Sequence, residues 1–230
     1  ASSLNFHDYL VVKGTIPVEE DRIPMSDGAG VVTAVGAGVT EFSAGDNVVS
    51  TFFPDWHGGE ATVELLRAVP GDRADGYARE AVTAPATSFT RSPQGYSHAE
   101  AATLTCAGLT AWRALVVNGN LKAGDVVLTP GTGGVSIFAF QLAKAAGARV
   151  VAAVSSDEKR LFCQQLGADV TINASLDSFR DAIKNATAGT GPDVVYDPVG
   201  GDLAAAAFRS IAWRGRYLVI GFAAGPIPAL

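Results

Sequence analysis

A glycine-rich turn between an apolar run and a helix carries the strongest chemical signal in this sequence. Val126, Val127 and Leu128 form an apolar run without alternation, which is typical of a buried strand, and apolar residues then recur at helical spacing. Because backbone N–H groups at the start of a helix attract anions, a turn in this position predicts a pyrophosphate site. The residues of the predicted site are Gly131, Thr132, Gly133, Gly134 and Val135.

This turn departs from the usual dinucleotide-binding pattern at one position. A Gly-x-Gly-x-x-Gly motif would end in glycine at position 136, where this chain has Ser136. A small residue still allows the helix to pack closely on the strand, so a phosphate-binding loop is our hypothesis. A purely structural turn is the alternative, and the turn alone does not decide between them.

The end of the next apolar strand favours NADP(H) over NAD(H). NAD sites usually place an acidic residue about 20 residues after the glycine turn, where it accepts a hydrogen bond from the ribose 2′-OH. Here the strand ends at Val154, which is followed by Ser155, Ser156 and, one turn later, Lys159. Hydroxyl groups and a cation can bind a 2′-phosphate. The alternative is that Ser156 or Asp157 caps a helix, and the two interpretations are compatible.

These residues need a sheet to bring them together, and the second part of the chain predicts one. Strands are predicted over residues 126–128, 150–154, 170–172, 194–196 and 217–220, with helices over 135–146, 157–166, 178–186 and 202–211. Buried strands that alternate with helices are typical of a doubly wound parallel sheet, so the predicted fold class is α/β. Ligands bind at the carboxyl ends of such strands. The last two strand ends add the cofactor-binding candidates Asp197, Val199, Gly221 and Phe222.

The first part of the chain, to about residue 98, predicts a β-rich domain. Strands are predicted over residues 28–36 and 48–53, and short strands at this spacing suggest a small barrel or sandwich. Residues 54–76 are rich in glycine, proline and charge, which predicts an irregular loop. Residues 99–114 have helical character with a gap at Gly108.

Composition narrows the class of protein further. Hydrophobic residues make up 48% of the chain and charged residues 17%, so a sizeable core is available. The net charge of −6 argues against a surface for nucleic acid or for an anionic membrane, and no apolar run approaches the roughly 20 residues of a membrane span. Two widely separated cysteines indicate a reducing, cytoplasmic compartment. Because the chain starts without methionine and stops in a loop, we expect a fragment of a longer protein.

Several motifs together resemble one known family. They are Leu4-Asn-Phe-His-Asp8, Ser26-Asp-Gly-Ala-Gly-Val-Val-Thr-Ala-Val-Gly36, Gly45-Asp46, the helical stretch from Ala99 to Trp112, and Asp197-Pro-Val-Gly-Gly201. With these motifs the chain resembles the medium-chain dehydrogenase/reductase superfamily, in its zinc-independent branch of quinone reductases and alcohol-dehydrogenase-like relatives. The resemblance implies a chaperonin-10-like catalytic domain over residues 1–98, incomplete at its start, and a Rossmann nucleotide domain over 99–230, incomplete at its end. It also implies an active site in the cleft between the domains.

The same resemblance predicts that no metal is bound. Zinc members of the superfamily hold their catalytic metal with Cys, His and Cys, and the matching positions here are Asn5, Ser26 and Cys106. Of these, only Cys106 could be a ligand, whereas a catalytic zinc needs about three protein ligands. His7 and His57 could in principle complete another site with Cys106, but we interpret both as ordinary surface or core histidines.

Without a metal, hydrogen bonds must polarise the substrate. In the relatives, the residues that match Asn5 and Thr110 lie near the nicotinamide, and the residue that matches Asp8 lies close by. We therefore predict that the Asn5 amide donates to a substrate carbonyl and that Asp8 orients a water or a side chain. The alternative is that Asn5 and Asp8 only cap a helix over residues 6–12.

Taken together, these features predict an oxidoreductase that moves hydride between NADP(H) and a small carbonyl, quinone or enone substrate. The resemblance also implies a homodimer in the full-length form. Two alternatives remain: a relative that binds the nucleotide but has lost catalysis, and a zinc-type alcohol dehydrogenase with displaced ligands.

Overall fold

The computed structural model describes residues 1–174 and 179–229, and the chain divides into two compact units. The first unit covers Ala1–Ala107 and the second Gly108–Leu230. The domain boundary predicted from the sequence, between residues 98 and 99, lies inside the first unit. The exact position of the functional boundary stays a prediction.

The first unit is built on a small antiparallel sheet. Its strands are β1 (Ser2–Ser3), β2 (Asp27–Val31), β3 (Asn47–Ser50) and β4 (Phe89–Arg91), its helices α1 (Phe6–Val12) and α2 (His98–Ala102). Among the described residues the strand order is β1-β2-β3-β4. Ala29 pairs with Val49, and Val49 with Thr90, so β3 lies between β2 and β4.

Both predicted strands of the first unit are shorter than the sequence suggested. The strand that begins near Gly28 ends at Val31, although the N–H of Val32 still donates to Asp46 O at 2.8 Å, and the chain turns further on, with Gly38 at φ 88°. The strand that begins near Val48 ends at Ser50, after which Phe52 and Phe53 pack edge to face at 4.9 Å. Aromatic and β-branched residues extended the strand pattern past the end of the sheet.

The predicted gap at Gly108 is wrong. After α2, one wide helical turn (Leu104–Gly108) leads into α3 (Leu109–Trp112) and a second wide turn (Arg113–Asn118). Gly108 has helical angles, φ −64° and ψ −48°, so the helix passes through it. The start of α2 is fixed by a capping box, in which Ser97 Oγ accepts from Glu100 N and the Glu100 carboxylate accepts from Ser97 N.

The second unit has the predicted alternation of strands and helices. Its strands are β5 (Val126–Pro130), β6 (Arg149–Val154), β7 (Val170–Asn173), β8 (Val194–Asp197) and β9 (Arg216–Val219). Its further helices are α4 (Gly134–Ala145), α5 (Asp157–Gln165), α6 (Phe179–Ala186) and α7 (Gly201–Phe208). The predicted start of the third helix, at Ser178, lies outside the described residues.

The strand order of the second unit indicates where a ligand would bind. Among the described residues the order is β7-β6-β5-β8-β9, with all neighbours parallel. The chain runs outward from β5 to β7 and then returns to the other side of β5. The order therefore reverses between β5 and β8, and in such sheets ligands bind beyond the carboxyl ends of these two strands.

Apolar strands and small helical residues form the core of the second unit. The side chains of Val127, Val150 and Val194 are fully buried, and on one face α4 covers them with Ala139, Phe140 and Ala143. A buried valine or leucine contributes about 1.5–3 kcal/mol. Alanines let the helix approach the sheet closely, which fixes where the turn before α4 lies. No helix in the described ranges is long and apolar enough to span a membrane.

Candidate functional site

The turn after β5 has the geometry expected of a phosphate-binding loop. Gly131 lies at φ 80°, a conformation that favours glycine, and its N–H donates to Ala153 O at 2.8 Å. Helix α4 then begins at Gly134 without a side-chain cap, so its first N–H groups face no side-chain acceptor of the turn. Gly133 and Gly134 are exposed, while Thr132 and Val135 are half-buried.

Gly133 is a glycine that the fold itself does not require. It has φ −71° and ψ 169°, a conformation that any residue adopts. A Cβ placed on it would meet no atom of the described chain within 4 Å. The missing side chain leaves open space at the start of α4, where a ligand could approach the backbone. This open space fits the pyrophosphate of a dinucleotide.

Ser136, which stands at the position of the third glycine, has a structural role. Its hydroxyl is buried and donates to Pro130 O at 2.9 Å. The bond ties the first turn of α4 to the end of β5. The departure from the glycine motif is therefore compatible with the close packing that the motif normally provides.

The end of β6 brings together the hydroxyls and the cation that the sequence singled out. Ser156 caps α5, because its Oγ accepts from Lys159 N at 3.3 Å. Lys159 Nζ donates to Ser155 Oγ at 3.4 Å, and all three residues are exposed. The capping interpretation of Ser156 is thus correct for this chain. It leaves the hydroxyl of Ser155 and the ammonium of Lys159 together at the surface, beside the end of the buried Val154 strand.

The Asp197 carboxylate shapes the turn after β8. Its Oδ1 accepts from the N–H groups of Val199, at 2.9 Å, and Gly200, at 3.0 Å, and its Oδ2 accepts from the Tyr217 hydroxyl at 2.8 Å. Burial, and then the neighbouring carboxylate, raise the pKa of Tyr217. Asp197 is only 1% exposed, and its role in binding a cofactor stays a prediction. Tyr217 was missed by the sequence analysis.

This turn adjoins the glycine turn. A Cβ on Gly131 would lie 3.6 Å from Val199 Cγ2, so Val199 lies beside the phosphate-binding turn. Gly221 lies just beyond β9, where its N–H approaches Asp197 O at 3.3 Å, and Phe222 is 62% exposed. Thr110 is half-buried on α3, which packs on α4. Their contact with a cofactor stays a prediction.

A second cluster of polar residues, partly buried, lies in the first unit, at the positions that the resemblance matched to zinc ligands. Asn5 Nδ2 donates to Ser26 Oγ at 3.0 Å and to Asp27 Oδ2 at 2.9 Å. The N–H of Cys106 also donates to Asp27 Oδ2, at 3.3 Å. We call Asn5, Ser26, Asp27 and Cys106 the polar centre. It joins the start of α1, the start of β2 and the turn after α2.

Asp8 accepts hydrogen bonds from the backbone of two residues of the polar centre. Its two carboxylate oxygens accept from the backbone N–H groups of Asn5 and Ser26, each at 2.8 Å, and it is 2% exposed. Asp8 thereby caps α1, as the capping alternative predicted. A catalytic role for Asn5 and Asp8 stays a prediction, since both hydrogens of the Asn5 amide are already donated within the polar centre.

Asp27 is the residue of the polar centre that the sequence analysis passed over. It is fully buried, and its Oδ1 has no hydrogen-bond partner in the described part of the chain. Burial first, and then the nearby Asp8 carboxylate, raise the pKa of Asp27 from 3.8 to about 7, against the hydrogen bonds from Asn5 and Cys106, which lower it. A charged residue at the first position of an otherwise uncharged strand was the available signal.

The polar centre does not fit a catalytic zinc. Neutral asparagine and serine stand at two of the three ligand positions, and they bond to each other. Within residues 1–174 and 179–229, no three His, Cys, Asp or Glu side chains are grouped to hold a metal. His7 instead lies 3.9 Å from Asp72 and edge to face with Phe52.

Comparison with known proteins identifies the family. Residues 1–94 match the family model of the alcohol dehydrogenase GroES-like domain, and residues 134–230 match that of zinc-binding dehydrogenases. The two matches fall on the β-rich first unit and on the α/β second unit. The chain belongs to the medium-chain dehydrogenase/reductase superfamily, an oxidoreductase superfamily, which confirms the predicted resemblance.

Three relatives illustrate the similarity. A zinc-type alcohol dehydrogenase-like protein of Schizosaccharomyces pombe is 42% identical over 177 residues, which are 75% of this chain and 51% of that protein. A quinone oxidoreductase structure from Pseudomonas syringae pv. tomato is 32% identical with a TM-score of 0.81, covering 100% of this chain and 65% of that one. A mycobacterial structure in complex with NADPH is 34% identical with a TM-score of 0.81, covering 100% and 66%. The chain thus spans about half of the curated relative and less than two thirds of the solved ones.

Proposed function

We propose that the full-length protein is an NADP(H)-dependent oxidoreductase that moves hydride, without zinc, between the nicotinamide and a quinone, enone or other carbonyl substrate. The observation that carries the proposal is Gly133, a glycine without a conformational or packing reason at the opening of α4. Its place at the reversal of the strand order is where a dinucleotide binds in this class of sheet. The similarity to an NADPH-bound relative supports the proposal.

NADP(H) rather than NAD(H) is supported by the end of β6. The strand ends in buried Val154, where an NAD site would carry an acidic residue. Ser155 Oγ and Lys159 Nζ lie 3.4 Å apart at the surface, and together they offer a hydroxyl and a charge to a 2′-phosphate. A phosphate would strengthen this arrangement, because its oxygens accept from both groups.

The chain's own residues would act as follows. The backbone N–H groups at the start of α4 bind the pyrophosphate, and Val199 and the turn after β8 shape the space beside it. The nicotinamide, when bound, supplies or accepts the hydride. Asn5 orients the substrate oxygen. Because both amide hydrogens of Asn5 are donated to Ser26 and Asp27, donation to a substrate carbonyl requires that one of these bonds be shared or exchanged.

The direct test is turnover by the full-length protein. We expect the protein to oxidise NADPH with at least one member of a panel of benzoquinone, methyl vinyl ketone and benzaldehyde. The loss of NADPH absorbance measures this oxidation. Asn5→Ala should lower turnover, while Glu60→Ala, an exposed residue of the first unit, should not. Failure of the whole panel would count heavily against the proposal.

A second candidate is a nucleotide-binding relative without catalysis. The observation that favours it is the complete use of the Asn5 amide hydrogens inside the polar centre. Such a protein would bind NADPH, detected by its fluorescence, and would oxidise none with the panel. A zinc-type alcohol dehydrogenase is the remaining alternative, and stoichiometric zinc in the purified protein would establish it against our proposal.

Assembly and location follow the same family expectation. We propose that the full-length form is a cytoplasmic homodimer acting on a small molecule. The support for this proposal is the resemblance to the family. Light scattering of the full-length protein would give the oligomeric state, and a monomer at all concentrations would contradict the dimer.

A further inference from the structure

Two buried carboxylates in the first unit differ in how they are satisfied. Asp8 accepts from a backbone N–H on each of its oxygens, as a structural carboxylate should. Asp27 accepts twice on Oδ2 and has no partner on Oδ1 within the described residues. A buried oxygen without a partner destabilises the fold, so stability alone does not explain why an acid occupies this position.

The bond from Asn5 to Asp27 fixes the orientation of the Asn5 amide. A side-chain amide has two hydrogens, and those of Asn5 are donated to Ser26 and to Asp27. Turning the amide by half a rotation would point its oxygen at the Asp27 carboxylate, which repels it. Ser26 alone would not prevent this rotation, because a hydroxyl can either donate or accept.

We propose that Asp27 is the positioning residue of the polar centre: its carboxylate holds the Asn5 amide in the orientation from which one amide hydrogen can be shared with, or exchanged to, the substrate oxygen. Asp27 does not touch the substrate, because it is fully buried. Its second bond, to the Cys106 N–H, anchors the carboxylate to the turn after α2. The inference rests on the proposed function for the catalytic part of the role of Asn5, and on the geometry of the polar centre for the rest.

A double-mutant cycle tests the inference in the full-length protein, with NADPH and whichever panel substrate is turned over. Asp27→Ala should lower kcat about tenfold or more with the KM for NADPH unchanged. Asp27→Asn should retain most of the turnover, since its amide oxygen still accepts from Asn5. If Asp27 acts through Asn5, the Asn5→Ala, Asp27→Ala double variant should be no slower than Asn5→Ala alone. Losses that multiply would overturn the inference.

Folding must be separated from positioning. The melting temperature and the Kd for NADPH of each variant show whether both units are folded. If Asp27→Ala does not fold, Asp27→Leu takes its place, because it fills the volume and also removes the acceptor. A variant that is less stable but turns over at the normal rate per folded molecule would show that Asp27 is only structural, which overturns the inference.

NMR of the Asn5 side-chain amide decides the positioning without any turnover. In the unaltered protein we expect two resolved amide protons that exchange slowly with solvent. Asp27→Ala should abolish this protection, and Asp27→Asn should preserve it. Unchanged protection in Asp27→Ala would overturn the inference. If the unaltered protein turns over no panel substrate, the proposed function fails, and this measurement still decides whether Asp27 holds Asn5.

Discussion

Each unit of this chain has a buried aspartate at one end of a strand, Asp27 at the start of β2 and Asp197 at the end of β8. The two carboxyl groups differ in how they are hydrogen-bonded. In the second unit, Asp197 accepts from Val199, Gly200 and Tyr217, so that both of its oxygens have partners. In the first unit, Asp27 accepts on only one oxygen from the residues that the structure describes, and burial raises its pKa to about 7. The exposures are nearly equal, at 1% and 0%. The number of donors, rather than burial, distinguishes them.

The difference separates a structural role from a functional one. A carboxylate with a full set of donors shapes the backbone around it, which in the second unit means the turn beside the phosphate-binding loop. A buried carboxyl group whose pKa is raised towards neutral pH is typical of functional sites. Under the proposed function, the second unit would bind the cofactor through its backbone and the first would carry the chemistry on its side chains.

Asp197→Ala should have the largest effect of the changes considered. It leaves two backbone N–H groups without their acceptor and leaves the Tyr217 hydroxyl with only its longer bond, to Ala204 O at 3.3 Å. These losses should lower the free energy of unfolding by about 3–5 kcal/mol. Denaturant unfolding measures the loss, and Asp181→Asn, an exposed residue of the same unit, is the matched control. A loss below about 1 kcal/mol would mean that the carboxylate does not hold the turn.

Asp27 should make stability depend on pH in the opposite sense to most carboxylates. Its folded pKa, about 7, lies above the ordinary value of 3.8, so the unfolded chain releases this proton first. Stability from this group is complete below the ordinary pKa and is lost as pH rises towards 7. At about 1.36 kcal/mol per pH unit, the loss between pH 5 and pH 8 should be about 2–3 kcal/mol.

Asp27→Asn is the matched control for this pH dependence, because asparagine keeps the shape and does not titrate. The free energy of unfolding should be measured for both proteins at pH 5 and pH 8. We expect the unaltered protein to lose about 2–3 kcal/mol more than the variant over this interval. Parallel curves would show that Asp27 is ionised in the folded protein well below neutral pH.

Gly133→Ala should have the smallest effect on stability and a selective effect on binding. The backbone angles suit alanine and the space is open, so the free energy of unfolding should change by less than about 0.5 kcal/mol. A methyl group beside the first N–H groups of α4 should nevertheless weaken NADPH binding about tenfold or more, measured by titration.

Gly167→Ala is the contrast to Gly133→Ala. Gly167 follows α5 and lies in equally open space, but its φ of 93° is one that alanine adopts only with strain. The strain should cost about 1–2 kcal/mol of stability and leave the Kd for NADPH unchanged. If the two variants behave alike, Gly133 is an ordinary turn glycine and the phosphate-binding interpretation loses its main support.

The sequence predicted the second unit well because its pattern is local. The strand ends that frame the crevice, at Pro130 and Asp197, lie within two residues of their predicted places, since buried apolar runs mark parallel strands clearly. Helix α7 ends three residues before its predicted end, at Phe208, where the apolar pattern continues into a turn. Tyr217 was missed because its hydroxyl donates to Asp197 on the neighbouring strand, 20 residues away in the sequence.

The polar centre of the first unit could be predicted from the sequence only in part. The positions of Asn5, Ser26 and Cys106 came from a family resemblance, and the structure brings them together around Asp27. Asp27 escaped attention because its environment is assembled from residues far apart in the chain. Burial and an unmatched oxygen are properties of the folded chain, and local patterns of charge and hydropathy do not encode them.

Titration of the unaltered full-length protein with NADPH and with NADH decides whether the end of β6 selects NADP(H). We expect NADPH to bind at least about tenfold more tightly, because a charge-assisted contact to phosphate is worth about 1.5–3 kcal/mol. Val154→Asp combined with Lys159→Ala should remove this preference, since the new carboxylate repels the 2′-phosphate and the cation is lost. Tighter or equal binding of NADH by the unaltered protein, or an unchanged NADPH dissociation constant in the double variant, would show that Ser155 and Lys159 do not bind a 2′-phosphate.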